Sequence, residues 1–275
     1  MHRRLIAVFT VAALLFAAVD AALWHRARQL RELQSQWDAL AATVSIDPPR
    51  FRATMVATLP APARRYLRHA IALGAPLRAT VRMNMAGRMS ARPGGRRAAF
   101  SAREVLVPGR GFVWRARIQR RPLSLTRTEA YLDGTGRRSV ALLGVVPWRH
   151  RDGADASIGN RAVLALQSIW DPAALLPFRG VQWKAMDATH AVAVIEIDGR
   201  GVPLTLEVSA RGELRAASVP CPRTDDPGGR LRLRVRRQMR VAGFRVPSRV
   251  SAGWQTATGA DRPIAETVIL AAEYR

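Results

Sequence analysis

Hydrophobic and polar residues follow two different periods along this chain, and the period changes near Leu77. Before this point, apolar residues recur every three or four positions, as expected for helices. After it, apolar residues alternate with polar ones, which is typical of strands with one buried and one solvent-facing side. The clearest case is Leu231, Leu233 and Val235, which alternate with arginines. The pattern predicts a helical N-terminal part followed by a β domain.

The β part contains about eleven candidate strands, separated by turns rich in Gly, Pro and Asp. Short turns between successive strands favour an antiparallel arrangement over a parallel doubly wound sheet. Residues 160–170 interrupt the strands with helical spacing and then meet Asp171-Pro172. We therefore expect a large curved antiparallel sheet or an open barrel with one interposed helix, so that the fold class is mainly β (α+β).

The most apolar stretch of the chain runs from Leu5 to Trp24, with Asp20 as its one charged residue. As a helix it would span roughly 30 Å, the thickness of the hydrocarbon core of a bilayer. We expect a single-pass transmembrane anchor with the β domain outside the cytoplasm. The alternative is a cleaved signal peptide and a secreted protein, because Val19-Asp20-Ala21 resembles a small-x-small cleavage site.

A helical stalk is predicted beyond the anchor, with apolar residues at three- and four-residue steps: Leu30, Leu33, Trp37, Leu40 and Val44. We expect this stripe to pack on its own domain, with dimerisation or contact with the lipid surface as alternatives. Further short helices are expected around residues 51–58 and 63–73. The predicted division is an anchor or signal segment at 1–24, a helical stalk and connector at 25–76, and the antiparallel β domain at 77–275.

The net charge of +24 arises from 44 Lys+Arg against 20 Asp+Glu. Lys184 is the one lysine, so nearly all of these cations are arginines, a pattern that coding bias produces as readily as a binding surface. Beside a membrane, the nearest polyanion is the head-group layer, which attracts cations by about 1 kcal/mol each. The sequence shows no nucleic-acid-binding motif. We therefore expect lipid, and not nucleic acid, to face the arginine-rich surfaces.

The sequence contains no recognisable catalytic or metal-binding motif. The single cysteine, Cys221, excludes an intrachain disulfide, and the five histidines lack the spacing of a zinc site. His150-Arg151-Asp152 resembles a kinase catalytic loop, but Ser157 stands where the metal-binding asparagine is required. We predict a non-enzymatic protein with no metal and no cofactor; an uncharacterised envelope enzyme is an alternative.

Aromatic residues on the candidate strands and helix are the remaining candidates for a binding site. Their simplest role is to anchor the core. The functional hypothesis is that they line a concave apolar pocket for a lipid or other amphiphile, while arginines at the margin hold an anionic head group. The predicted ligand-binding residues are Arg82, Trp114, Arg115, Arg117, Tyr131, Trp170 and Trp183.

The order of several short landmarks resembles a bacterial family of membrane-anchored proteins with a domain of unknown function. The resemblance covers roughly Leu59 to the C-terminus. The landmarks are Leu59-Pro60-x-Pro62-x-x-Arg65-Tyr66-Leu67, Val81-Arg82-x-x-x-x-Gly87, Gly111-Phe112-x-Trp114-x-Ala116-Arg117, Leu143-Gly144, Trp170-x-Pro172-x-x-Leu175-Leu176-Pro177, Val181-x-Trp183, Gly243-x-x-Val246-Pro247 and Gly253-Trp254.

The resemblance implies a location in the bacterial inner membrane and no established activity. Two departures are present: Gln167 stands where the family pattern has glutamate, and the loop Pro220 to Gly229 lacks an expected Pro-Trp pair. The strand order is also similar, more remotely, to half-barrel carriers of lipoproteins, which hold acyl chains in a curved sheet. The functions considered are an amphiphile-binding envelope protein and, as an alternative, a structural or interaction protein with a self-filled core.

Overall fold

The computed structural model describes residues 16–17, 20–21, 24, 27–28, 30–44, 46–120, 122–144, 146–152, 154–222 and 226–275. The predicted anchor, Leu5 to Trp24, lies for the most part outside these residues. None of the helices within the described ranges is long and apolar enough to cross a membrane.

The described strands form one 13-stranded antiparallel sheet, two strands more than the sequence pattern indicates. In chain order they are β1 (Val81–Met89), β2 (Ala98–Val107), β3 (Gly111–Arg120), β4 (Leu123–Leu132), β5 (Thr135–Leu142), β6 (Val146–Asp152), β7 (Gln182–Ala185), β8 (His190–Ile197), β9 (Arg200–Val208), β10 (Leu214–Pro220), β11 (Arg230–Val241), β12 (Phe244–Gln255) and β13 (Asp261–Tyr274).

Among the described residues, three continuous α-helices accompany the sheet: α1 (residues 30–41), α2 (Ala61–Ala70) and α3 (Ala154–Gln167). Pro60 precedes α2, and Pro62 lies in its first turn, where a missing backbone N–H costs nothing. Short 3₁₀ turns occupy Ala53–Val56, Ser168–Trp170, Pro172–Leu175 and Pro177–Arg179. The helix predicted at 51–58 is therefore only a 3₁₀ turn.

The sheet consists of two meanders joined in its middle. Strands β1 to β6 follow one another from the middle to one edge, and β13 back to β7 follow one another to the other edge. The pairing of β1 with β13 joins the two meanders, with Val81 opposite Tyr274 and Met83 opposite Ala272. The interposed helix α3 connects the edge strands β6 and β7, as the sequence predicts for a helix between two groups of strands.

The sheet curves around α3. This helix contacts β4, β5 and β6 of one meander and β8 to β11 of the other. Strands β4 and β11 are six positions apart in the sheet, or roughly 29 Å along a flat surface at about 4.8 Å per strand. Tyr131 of β4 also donates a hydrogen bond to Asp198 at the end of β8, nine positions away in the sheet, and this contact is possible only if the sheet bends. We call the face toward α3 the inner face and the opposite one the outer face.

The inner face and α3 form the main hydrophobic core. From Ala162 to Trp170, every residue of α3 and the following turn is buried except Val163, which is partly buried. A helix that is buried on all sides lies within the core rather than on its surface. Helix α2 covers a different part of the same core and contacts β7, β8, β9 and β12. The interior of the curved sheet is therefore occupied by the protein's own side chains.

Helix α1 packs on the outer face. Leu40 and Ala41 form a second apolar cluster with Val105, Val113 and Ala130 of neighbouring strands, and Leu33, Trp37 and Leu132 border it. Arg137 forms an ion pair with Glu32 of α1, 2.5 Å apart, and this lowers the pKa of the Glu32 carboxyl. The apolar stripe of the stalk thus contacts its own domain. The division of the chain at 24 and 76 stays a prediction.

Candidate functional site

Two of the predicted aromatic residues lie on the inner face of the sheet. The indole N–H of Trp114 points to the Sδ atom of Met85 at 3.3 Å, and its ring lies 6.2 Å from that of Phe100. Tyr131 is fully buried; its hydroxyl donates to Asp198 and accepts from Arg161 Nε at 3.2 Å. Because Asp198 lies between β8 and β9, the Tyr131 bond ties the two meanders together.

The other two predicted aromatics use their ring nitrogens inside the fold. Trp170 Nε1 donates to the carbonyl of Pro247 at 3.0 Å. Trp183 Nε1 donates to the carbonyl of Leu175 at 2.9 Å. Trp170 is buried, and Trp183 is partly buried against the core. A tryptophan in such a position whose N–H has a protein acceptor behaves as a packing anchor. These contacts fit the core role that the sequence allows for all four aromatics.

The predicted arginines lie on the outer face, so the structure does not bring them together with the aromatics. Arg82 donates to the carbonyl of Ala41 in α1 at 3.3 Å. Arg115 and Arg117 are exposed on β3. Successive residues of a strand point to opposite faces, so Trp114 and Arg115 cannot line one pocket. The alternation of apolar and polar residues that predicts β3 also predicts that these two side chains lie on opposite faces.

A buried polar network covers the part of the inner face beneath α3, and the sequence analysis did not predict it. Cross-strand pairing places Met83, Glu104, Trp114, Glu129 and Arg138 in one row across β1 to β5. Two amide side chains of α3 lie on this row: Gln167 donates to Glu104, and Asn160 accepts from Arg138 Nε at 2.9 Å. The network therefore attaches α3 to the sheet.

The two glutamates of the network have opposite electrostatic environments. Burial, reinforced by the charge of Glu129, raises the pKa of Glu104 to about 8 despite the hydrogen bond from Gln167. Burial also acts on Glu129, but Arg127 and Arg138 outweigh it and lower the pKa of that carboxyl. Arg127 Nε donates to Glu129 at 2.9 Å. Glu104 is therefore neutral at pH 7, and Glu129 is an ion-paired carboxylate.

The outer face contains a cationic groove of about 570 Å³, the outer groove, which includes two of the predicted arginines. Arg103 of β2 is directly opposite Arg115 of β3, and Arg117 lies two residues along β3. None of the three has an acidic partner within the described part of the chain. Hydroxyl and amide groups complete the polar lining: Ser101, Ser124, Thr126 and Asn84.

Two exposed leucines also line the outer groove. Leu143, in the turn between β5 and β6, is 57% exposed, and Leu270 of β13 is 65% exposed. Leu143 also has a φ of 52°, a left-handed conformation that is unfavourable for a bulky side chain. Its N–H donates to the carbonyl of Ser124 at 2.8 Å, which fixes the turn. The groove thus combines three guanidinium groups with apolar side chains that face solvent.

The sequence analysis missed Arg103, Leu143 and Leu270 as site residues. Arg103 follows the same alternation as Arg115, but its position opposite Arg115 depends on the register of β2 and β3. Leu143-Gly144 appeared only as a family landmark. The chemistry available in the outer groove is anion binding, because guanidinium forks pair with phosphate or carboxylate oxygens. Among the described residues, no group of His, Cys, Asp or Glu side chains is arranged to hold a metal ion.

Residues 49–266 match a family of unknown function, DUF6544. The chain belongs to this family, which confirms the resemblance inferred from the landmarks. No curated protein matches the chain.

Two solved structures are similar to the protein in fold. A DUF1329 family protein from Desulfovibrio piger has a TM-score of 0.41 and 10% identity, over 72% of this chain and 86% of that chain. The LolA superfamily protein NE2245 from Nitrosomonas europaea has a TM-score of 0.37 and 9% identity, over 78% of this chain and 92% of that chain. Similarity at this level carries no argument about function.

Proposed function

We propose that this protein is a non-enzymatic, membrane-anchored protein of the bacterial envelope that binds anionic lipid through the outer groove. The observation that carries this proposal is the set Arg103, Arg115 and Arg117, which has no acidic partner among the described residues and lines the groove together with the exposed Leu143 and Leu270. We place the β domain outside the cytoplasm, next to the membrane that holds the predicted anchor.

The arrangement of charge supports an anionic ligand. Like charges directly opposite each other on neighbouring strands destabilise a sheet. Arg103 and Arg115 form such a pair without a described carboxylate nearby. An anion between the two guanidinium groups would relieve this repulsion, and phosphate oxygens match their geometry. The repulsion between Arg103 and Arg115 therefore favours the binding of phosphate in the groove.

The arrangement of apolar residues supports a lipid as the source of the phosphate. Exposed leucines are unfavourable beside water, and Leu143 adds the strain of a left-handed backbone. Such strain is characteristic of functional positions. Leucine side chains at the boundary of a bilayer bury apolar surface while arginines contact head groups. A soluble anion would use the arginines but would leave the leucines exposed.

The inner face offers less support for binding than the outer groove, because α3 occupies it. Glu104 and Glu129 are 2% and 9% exposed, so a substrate has no direct access to them. This is why we propose a binding function rather than catalysis. The second candidate function, a structural or interaction protein with a self-filled core, is favoured by the burial of α3 and the following turn from Ala162 to Trp170.

Lipid retention by the full-length chain tests the proposal. The protein is extracted from membranes that contain zwitterionic and anionic phospholipids, and the retained lipids are identified by mass spectrometry. We expect enrichment of anionic lipid. The variant Arg103→Gln/Arg115→Gln/Arg117→Gln should weaken this preference by roughly 100-fold, because each cation contributes about 1 kcal/mol at a lipid surface.

The matched control changes three exposed arginines that do not line the outer groove, Arg52→Gln/Arg96→Gln/Arg120→Gln. It removes the same net charge and should retain the preference. An equal loss in both variants would show that overall charge, and not the groove, attracts lipid. A wild-type protein with no preference for anionic lipid would contradict the proposal.

A further inference from the structure

A second cationic groove, the α2 groove, shares no lining residue with the outer groove. It has a volume of about 800 Å³ and lies between the end of α2, the turn from β9 to β10, and the turn from β11 to β12. Five arginines and one histidine line it: Arg65, Arg68, His69, Arg211, Arg240 and Arg245. None of the described residues that line it is acidic.

Two glycines allow the three elements of the groove to meet. Gly212 has a φ of 87°, and a Cβ atom there would lie 2.4 Å from the carbonyl oxygen of Arg65. Gly243 has a φ of 85°, and its Cβ would lie 2.6 Å from that of Ala75. The N–H of Ala72 donates to the carbonyl of Gly243 at 2.8 Å. The groove is therefore built on fixed backbone rather than on a loose loop.

Most of the groove's charge is not neutralised within the described part of the chain. Arg65 donates to the carbonyl of Ala188 at 2.6 Å, and Arg245 Nη1 lies 3.3 Å from His69 Nδ1. The side chains of Arg68, Arg211 and Arg240 have neither an ion pair nor a hydrogen bond there. Like-charged side chains that converge without partners destabilise a fold. Their convergence in this groove therefore indicates that an anionic ligand binds there.

The helix dipole explains only part of this cluster. Arg68 and His69 lie in the last turn of α2, where cations complement the negative end of a helix. Arg211, Arg240 and Arg245 come from turns and strands of the sheet and have no such explanation. An adjoining groove of about 350 Å³ extends the cationic surface with Arg215, Arg236 and Arg237. Its one acid, Glu213, is paired with Arg215 at 2.7 Å.

We infer that the α2 groove is a binding site for a ligand with more than one phosphate group. Several guanidinium groups from separate elements suit several anionic oxygens, each bound by charge-assisted hydrogen bonds. A volume of about 800 Å³ exceeds the needs of a single inorganic phosphate and matches a small-molecule pocket. The phosphates belong either to a soluble ester or to a lipid head group. This inference is independent of lipid binding in the outer groove.

The inference is tested by a calorimetric titration of the full-length chain with inorganic pyrophosphate. We expect wild-type protein to bind pyrophosphate and Arg68→Gln/Arg240→Gln to bind roughly 100-fold more weakly, because hydrogen bonds to charged groups are among the strongest. Arg96→Gln/Arg120→Gln removes the same charge outside the groove and should bind as wild type. Substitution of Arg103, Arg115 and Arg117 in the outer groove should also leave pyrophosphate binding unchanged.

A second arm distinguishes the two sources of phosphate. The same variants are assayed for retention of anionic lipid from mixed membranes. Pyrophosphate binding that depends on Arg68 and Arg240, without lipid retention that depends on them, supports a soluble ester. Lipid retention that also depends on them supports a head group. The inference is overturned if neither ligand depends on these arginines, or if the control variant loses binding equally. If Arg68→Gln/Arg240→Gln does not fold, Arg68→Lys/Arg240→Lys keeps the charge and should weaken binding to a lesser extent.

Discussion

The arginines on the two faces of the sheet differ in their partners. On the inner face, Arg127 and Arg138 both contact Glu129 beneath α3. On the outer face, Arg103 and Arg115 lie opposite each other and have no described acidic partner. A buried charge must be paired for the protein to fold, whereas an exposed one need not be. The inner arginines therefore serve the fold, and the outer ones are available to a ligand.

Some arginines on the outer face do have partners. On β11, Arg230 donates to Thr205 at 2.9 Å, and Arg232 contacts Glu207 at 2.8 Å. The arginines that alternate with Leu231, Leu233 and Val235 on β11 are therefore partly neutralised by neighbouring side chains. Arginines without a described acidic partner do line the outer groove and the α2 groove.

The largest expected effect is on the inner face and depends on pH. The pKa of Glu104 is raised from 4.5 to about 8, so the folded protein holds a proton there that the unfolded chain releases above about pH 4.5. The contribution of Glu104 to stability is therefore complete below about pH 4.5 and is lost as the pH rises toward 8. At about 1.4 kcal/mol per pKa unit, the full loss is roughly 5 kcal/mol, most of it above pH 5. Chemical denaturation from pH 5 to pH 9 measures it.

The variant Glu104→Gln keeps a neutral side chain at every pH and should remove most of this dependence. Asp171, whose pKa burial raises to about 7, accounts for the remainder in the same direction. Glu196→Gln, at an exposed glutamate of β8, is the matched control and should leave the profile unchanged. An identical pH profile in wild type and Glu104→Gln would show that Glu104 is not the buried proton carrier.

The second prediction removes an anchor of α3. Asn160 is 0% exposed, donates to the carbonyl of Ala130 at 2.8 Å and accepts from Arg138. Asn160→Ala leaves a buried carbonyl and a guanidinium without this partner, at a cost of about 3 kcal/mol. Unfolding in urea measures the change. Thr126→Ala in the outer groove should change stability by less than about 0.5 kcal/mol, and equal losses at the two sites would remove the distinction between the faces.

Much of the fold was predictable because its signals are local. The alternation of Leu231, Leu233 and Val235 predicts β11, and the spacing in 160–170 predicts the helix between the two meanders. The pairing of β1 with β13 was not predictable, since it joins residues such as Val81 and Tyr274 that are nearly 200 positions apart. Pairings across such distances depend on the packing of the whole sheet.

The site was less predictable than the fold. The prediction that Trp114 and Arg115 line one pocket is at odds with a local signal, because successive residues of a strand point to opposite faces. The remaining features depend on tertiary structure. In the sequence, Glu104 is a polar residue of β2, yet α3 buries it. The register that sets Arg103 opposite Arg115 is fixed only by the folded sheet.

The third prediction concerns the strained leucine of the outer groove. Leu143→Asn places a residue that tolerates the left-handed conformation at a φ of 52°. We expect stability to rise by about 1 kcal/mol and retention of anionic lipid to fall, because the inserted apolar side chain is lost. Thermal unfolding and lipid mass spectrometry measure the two effects. A variant that gains stability and retains lipid normally would remove Leu143 from the proposed site.

The smallest expected effect tests the pairing of the outer arginines directly. Arg115→Thr removes the like-charge contact with Arg103, so the folded protein should become more stable by about 0.5 kcal/mol. Arg232→Thr on β11 removes the contact with Glu207 and should instead lower stability by a similar amount. Opposite signs for two Arg→Thr changes on one face would show that partners, and not exposure, decide what an arginine contributes. Added salt should shrink both effects, because it screens exposed charges; a destabilised Arg115→Thr variant would mean that Arg103 and Arg115 are already compensated within the folded chain.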